Sequence, residues 1–197
     1  MNYRKLLRNL SAAFLINTTL PSLAIAGEVY GDEWQISAYA GRFTETRFHE
    51  IVRTRTRFRD AYVGAVALSR TWVRWSSWAE WDIEVQGARH WAAQNHTEIN
   101  AALLLRVVRF PWDRHLSTTI ALGIGPSFAS STPRLERQRL RRTSRQMLFM
   151  PFEITAGAPD RRWEAFTRVH HRSGGFDGIT RGSGSNLVAV GLRMRLN

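Results

Sequence analysis

The sequence predicts an all-β fold: eight antiparallel strands, each long enough to cross a bilayer, closed into a transmembrane β-barrel. Three observations predict it. Apolar and polar residues alternate with period two along much of the chain, which is the pattern of strands with one apolar and one polar face. The alternating segments run ten to thirteen residues, whereas strands of soluble proteins usually run about five or six and membrane-crossing strands about nine to eleven. The connections also alternate between long and short, as in barrels with long extracellular loops and short periplasmic turns.

From the N-terminus, the first segment lies outside the fold. Arg4, Lys5 and Arg8 precede an apolar run from Leu10 to about Leu23, and Ala24-Ile25-Ala26 supplies a small-x-small cleavage pattern. Residues 1–26 therefore read as a secretory signal peptide, which leaves 27–197 as one barrel domain. Without Arg4, Lys5 and Arg8 the formal charge of +12 falls to +9, and the 28 basic residues fall to 25, all of them arginine. Arginine stays ionised and offers a planar fork of donors suited to phosphate and carboxylate. With no cysteine there is no disulfide framework, so an exported chain must draw its stability from elsewhere, and a closed hydrogen-bonded barrel is one source.

Strands are expected at about 34–43, 61–71, 75–87, 97–109, 116–128, 145–157, 162–172 and 186–196. In the third, Ala79, Trp81, Ile83 and Val85 oppose Glu80, Asp82, Glu84 and Gln86. In the fourth, Ile99, Ala101, Leu103, Leu105 and Val107 oppose Glu98, Asn100 and Arg106. The last sets Val188, Val190, Leu192, Met194 and Leu196 against Gly191, Arg193 and Arg195. A soluble barrel would turn its apolar faces inward. Here the polar faces suit a small lumen of paired charges, filled by side chains rather than open as a pore. Trp34, Trp72, Trp75, Trp78, Trp112 and Trp163 fall near strand ends or short turns, where an interfacial aromatic girdle would stand.

Two of the long loops are strongly basic, one with Arg47, Arg53, Arg55, Arg57 and Arg59, the other with Arg134, Arg137, Arg139, Arg141, Arg142 and Arg145. On the outer face of an outer membrane they would meet lipopolysaccharide, whose lipid A carries phosphates. Arg53, Arg55, Arg57, Arg137, Arg139 and Arg141 are the candidate phosphate ligands. A solvated charged surface is the plainer alternative. Nucleic acid, the other usual partner of a basic chain, is disfavoured for an exported barrel with arginines in its loops. Nothing in the sequence decides between monomer and homodimer.

The seventh strand carries the motif of most chemical interest. Trp163, Ala165, Thr167 and Val169 share the lipid face, and His171 and Ser173 continue it. Glu164, Arg168 and His170 share the lumen face, where Glu164 and Arg168 are expected to satisfy His170. Polar groups facing hydrocarbon are costly unless paired, so a His-x-Ser pair there is poor filler. The outward parity of the eighth strand puts Asn186 on the same rim.

The run HHRSGGFDGITRGSGSNLVAVGLRMRL, residues 170–196, resembles the C-terminal signature of the PagL family of lipid A 3-O-deacylases, eight-stranded outer-membrane barrels with an exterior esterase site. That resemblance implies Ser173 as nucleophile, His171 as general base and lipid A as substrate, with no metal or organic cofactor. It also shows two departures. The family's acidic residue falls on Asn186, with Asp177 as a lesser candidate acid. The residue after the serine, an asparagine in the family, is Gly174, so the oxyanion donors would be the amides of Gly174 and Gly175. Two other readings stay open: a non-catalytic lipopolysaccharide-binding or structural barrel, and a small barrel for apolar ligands.

Overall fold

The computed structural model describes residues 33–46, 50–51, 56–140, 143–174 and 184–196. The expected signal peptide, 1–26, lies outside them. Eight strands form one closed antiparallel barrel in sequence order: β1 (Trp34–Thr44), β2 (Phe58–Ser76), β3 (Ala79–Ala92), β4 (His96–Val107), β5 (Ser117–Ala129), β6 (Gln146–Gly157), β7 (Trp163–Ser173) and β8 (Ser185–Leu196). Closure is by β1 against β8, from Trp34↔Leu196 to Thr44↔Asn186. A short helix, α1 (Arg134–Leu140), sits in the β5–β6 connection.

The chain is apolar outside, and its interior is polar and charged apart from a buried apolar cluster that includes Phe43, Val63, Phe166 and Leu187. Val66, Leu68, Ile83, Val85, Ile99, Leu122, Ile124, Ile154, Val190 and Leu192 are all exposed on the outer wall. Closure leaves no sheet edge unpaired, so every strand can present this face to hydrocarbon without unsatisfied backbone groups. The six tryptophans named above are all exposed, and all lie at the end of the barrel that holds the β2–β3, β4–β5 and β6–β7 turns. This inside-out distribution belongs to a barrel that spans a bilayer. A charge at mid-height on the outer wall should therefore destabilise it. We expect Val85→Arg to weaken folding into lipid vesicles by about 2–4 kcal/mol, measured by equilibrium denaturant titration, and Val85→Leu to leave it unchanged.

A network of ion pairs fills the lumen. Arg106 donates to Asp82 at 2.6 Å and to Glu153 at 3.0 Å. Arg168 grips Glu84 with two bonds of 2.7 Å and also reaches Glu153. Arg193 of β8 meets the same carboxylate at 2.5 Å. The charges are thus paired across the barrel, as buried charges must be.

In two places the strands differ from expectation. β2 runs well past residue 71, because register irregularities between Thr71 and Val73 and between Arg74 and Ser76 break the alternation there. The third connection, expected to be long, contains only residues 93–95. Arg89↔Thr97 and His90↔His96 extend the β3–β4 ladder, and the β4–β5 connection, 108–116, is longer than its partner at the other end. Strict alternation of long and short connections therefore fails at this hairpin. Ala92 turns the chain with a φ of 69°.

Candidate active site at the loop end of β7 and β8

Strand parity places His171 and Ser173 on the outer face of β7, each half-buried, with Arg172 between them turned inward and fully buried. Their Cα atoms are about 7 Å apart by strand geometry. His171 faces Asn186 of β8 in register, and Asn186 faces Thr44 of β1. One outward row thus crosses three strands at the loop end.

Hydrogen bonding fixes the protons in that row. His171 Nδ1 lies 2.6 Å from Asn186 Oδ1 and 3.2 Å from the carbonyl of Ser185. Both partners only accept, so Nδ1 carries the proton and Nε2 is the basic nitrogen. The amide is oriented in turn, because Asn186 Nδ2 donates to the carbonyl of Thr46 at 2.9 Å. Thr46 Oγ1 accepts the backbone N–H of Arg57, and Thr44 Oγ1 donates to the Arg57 carbonyl. The stem of the first basic loop therefore backs the site.

Apolar side chains border it. Leu148, Met150 and Phe152 on β6 stand in register with Ser173, His171 and Val169. Val169, two residues below His171 on the same face, is buried. An acyl chain lying along β6 would meet hydrocarbon beside a serine and an imidazole.

Sequence reasoning missed Glu136. Buried in α1, it accepts from Arg172 Nη1 at 2.9 Å, Ser185 Oγ at 2.6 Å and Thr143 Oγ1 at 2.6 Å. One carboxylate thus clamps the residues adjacent to His171 and to Asn186. Its signal was a lone acid within an arginine-rich loop. Gly184 completes the rim, since a β-carbon there would overlap the carbonyl of Arg172.

The other expected residues divide. Gly174 is buried directly after Ser173. Arg57 and Arg137 are exposed, and Arg139 lies in α1. Arg137 lines a cavity of about 390 Å³ with Arg134, Asn95, Ser131, Thr132 and His96. Gly175, Asp177, Arg53, Arg55 and Arg141 lie outside the described residues. His170 points into the lumen as expected, but its partners are Glu98 and Tyr39 rather than Glu164 and Arg168. It sits one pair of strand residues nearer the loops than the Arg168 network, and Glu98 of β4 reaches it from across the barrel.

The barrel superposes on that of the outer membrane enzyme PagL with a TM-score of 0.57 at 12% sequence identity, over 82% of this chain and 99% of that one. It superposes on Neisserial surface protein A with a TM-score of 0.50 at 6% identity, over 83% and 97%. The fold is that of the eight-stranded outer-membrane barrels. No protein-family profile and no curated protein matches the chain. At these identities the likeness is one of fold, and a fold alone does not carry an activity.

Proposed function

We propose that this barrel is an outer-membrane esterase that removes an ester-linked acyl chain from lipid A, with its loop end facing outward. The supporting observation is the chain of bonds from Thr46 through Asn186 to His171 on the outer wall, two residues from Ser173. Ser173 Oγ attacks the ester carbonyl as His171 Nε2 takes its proton. The tetrahedral oxyanion meets the backbone N–H groups of Gly174 and Gly175. Collapse expels the sugar alkoxide, which recovers the proton from His171. Water, activated by the same imidazole, then hydrolyses the acyl-Ser173 ester and releases the fatty acid. The apolar edge at Leu148, Met150 and Phe152 takes the acyl chain, and Arg57, Arg137 and Arg139, with Arg53, Arg55 and Arg141, meet the lipid phosphates.

Mass spectrometry of lipid A from expressing cells tests this. The parent chain should remove one hydroxyacyl group, and Ser173→Ala should leave lipid A intact while still folding into the outer membrane. The second reading is a non-catalytic lipopolysaccharide-binding or structural barrel, favoured by the neutral Asn186 where a triad acid would stand. Unchanged lipid A with the correctly folded parent would select it.

A further inference from the structure

Behind the outer rim, the lumen holds a second group of chemistry-bearing side chains that the esterase reading does not use. Glu98 of β4 is ringed by imidazoles. His170 Nε2 lies 3.1 Å from its Oε2, while His96 Nε2 at 2.9 Å and His90 Nε2 at 3.4 Å face its Oε1. All four residues are buried. The donor atoms of His90, Glu98 and His170 lie within 4.8 Å of one another.

Proton accounting shows that hydrogen bonds alone do not satisfy this group. Gln86 Oε1 accepts from Arg168 Nη1 at 3.4 Å and from Tyr39 at 2.7 Å. Tyr39 has one proton, and it goes to Gln86. His170 Nδ1 lies 2.8 Å from the same phenol oxygen and 3.5 Å from Gln86 Nε2; the shorter contact makes it the donor to the phenol, so neutral His170 aims the lone pair of Nε2 at a carboxylate oxygen. His90 adds to the mismatch, since neither of its ring nitrogens has a hydrogen-bond partner among the described residues, nor does His96 Nδ1. Charge points the same way. Arg172 is 3.4 Å from Glu98 and 2.9 Å from Glu136, so it serves two carboxylates.

We propose that His90, Glu98 and His170 bind a divalent transition-metal ion of the Zn²⁺ type inside the barrel. A tetrahedral site with Zn–N and Zn–O near 2.0–2.2 Å spaces its donors by about 3.3–3.5 Å, and the His90 and His170 nitrogens stand 3.4 and 3.1 Å from the Glu98 oxygens. Two imidazoles and one carboxylate are a borderline-soft set that prefers Zn²⁺, Co²⁺ or Ni²⁺ to Ca²⁺ or Mg²⁺. The relay from His170 Nδ1 through Tyr39 to Gln86 holds the ligating ring in one tautomer, as the outer partners of metal-bound histidines do. The cavity lined by Arg137 also reaches His96 and gives the ion a route from the loop end. Such an ion ties β7 to the β3–β4 hairpin across the lumen, one residue from His171.

The test uses the full, tag-free barrel, folded in detergent and stripped of metal by chelator. Titration with Co²⁺ should give intense visible d–d bands of tetrahedral type, saturating at one ion per chain and bleached by Zn²⁺. His90→Gln removes no hydrogen bond and should fold. It should weaken Co²⁺ binding by about a hundredfold or more, and Tyr39→Phe should weaken it by about 10–100-fold. His115→Gln, on a remote turn, should change nothing. Folding of each variant is checked by heat-modifiable gel migration. Absence of saturable Co²⁺ binding by the folded parent would overturn the site in favour of a protonated histidine cluster. Undiminished binding in folded His90→Gln would equally overturn it.

Discussion

Replacing Glu153 with leucine should prevent stable insertion of the barrel, and Glu153→Gln should cost at least about 3–5 kcal/mol, the range for breaking a buried ion pair from one side. Glu153 is fully buried and takes charge-assisted bonds from Arg106 of β4, Arg168 of β7 and Arg193 of β8. Of these guanidiniums, Arg106 keeps Asp82 and Arg168 keeps Glu84 when Glu153 is lost. Arg193 is left with Ser37 at 3.2 Å and Glu164 at 3.7 Å, and its Nη1 already lacks a hydrogen bond. The stranded charge is therefore mainly that of Arg193. Adding Arg193→Met to Glu153→Gln should recover part of the loss, a non-additivity that a double-mutant cycle detects. Urea unfolding in lipid vesicles, followed by tryptophan fluorescence, measures each variant. A loss below about 1 kcal/mol for Glu153→Gln would show that water or relaxation offsets the missing charge.

The lumen network also explains why the fold was so legible. Each carboxylate and guanidinium in it sits one residue from a lipid-facing apolar side chain, so the same alternation that marks the strands assigns their faces. Glu98, Asn100 and Arg106 against Ile99, Ala101 and Leu105 were read correctly on this basis alone. Legibility failed where alternation was interrupted or masked. Bulges after Thr71 shift the parity of β2 and hid its last residues. The end of β3 and start of β4 carry His90, Trp91 and His96, residues that read equally well as loop; the pairing of His90 with His96 and of Trp91 with Tyr62 makes them strand, and the two imidazoles stack with ring centroids 4.2 Å apart. At the candidate site, parity brought His171, Ser173 and Asn186 to one rim. The carbonyl of Thr46 and the carboxylate of Glu136 escaped notice for another reason. A backbone acceptor carries no residue signature, and Glu136 acts from a helix whose composition is basic. His90 and His170 are far apart in sequence, so their meeting around Glu98 depends on barrel closure.

Asn186 gives the sharpest test of the candidate chemistry, because two substitutions should move turnover in opposite directions. In serine hydrolases with an Asp-to-Asn change, turnover falls about 10⁴-fold because the imidazole is held in the wrong tautomer. That penalty does not apply here, since the Thr46 carbonyl takes the Asn186 amide hydrogens and turns Oδ1 toward His171. What the amide lacks is charge to stabilise the imidazolium that the proposed attack by Ser173 would form. Asn186→Leu removes the acceptor at similar volume and should lower kcat by about 10²–10⁴-fold, the usual worth of a positioned base, with KM little changed. Asn186→Asp adds the missing charge and should raise kcat by about tenfold or more, equivalent to at least about 1.4 kcal/mol of transition-state stabilisation. The same change sets a carboxylate oxygen against the buried Thr46 carbonyl with no proton between them. Folding stability should therefore fall by about 1–3 kcal/mol. Steady-state hydrolysis of purified lipid A, beside denaturant unfolding of the same preparations, reads both effects. Higher turnover from a less stable barrel is the signature of an amide standing where a carboxylate would act, whereas turnover that falls together with stability in Asn186→Asp would make Asn186 a strut of the rim and remove it from the catalytic proposal.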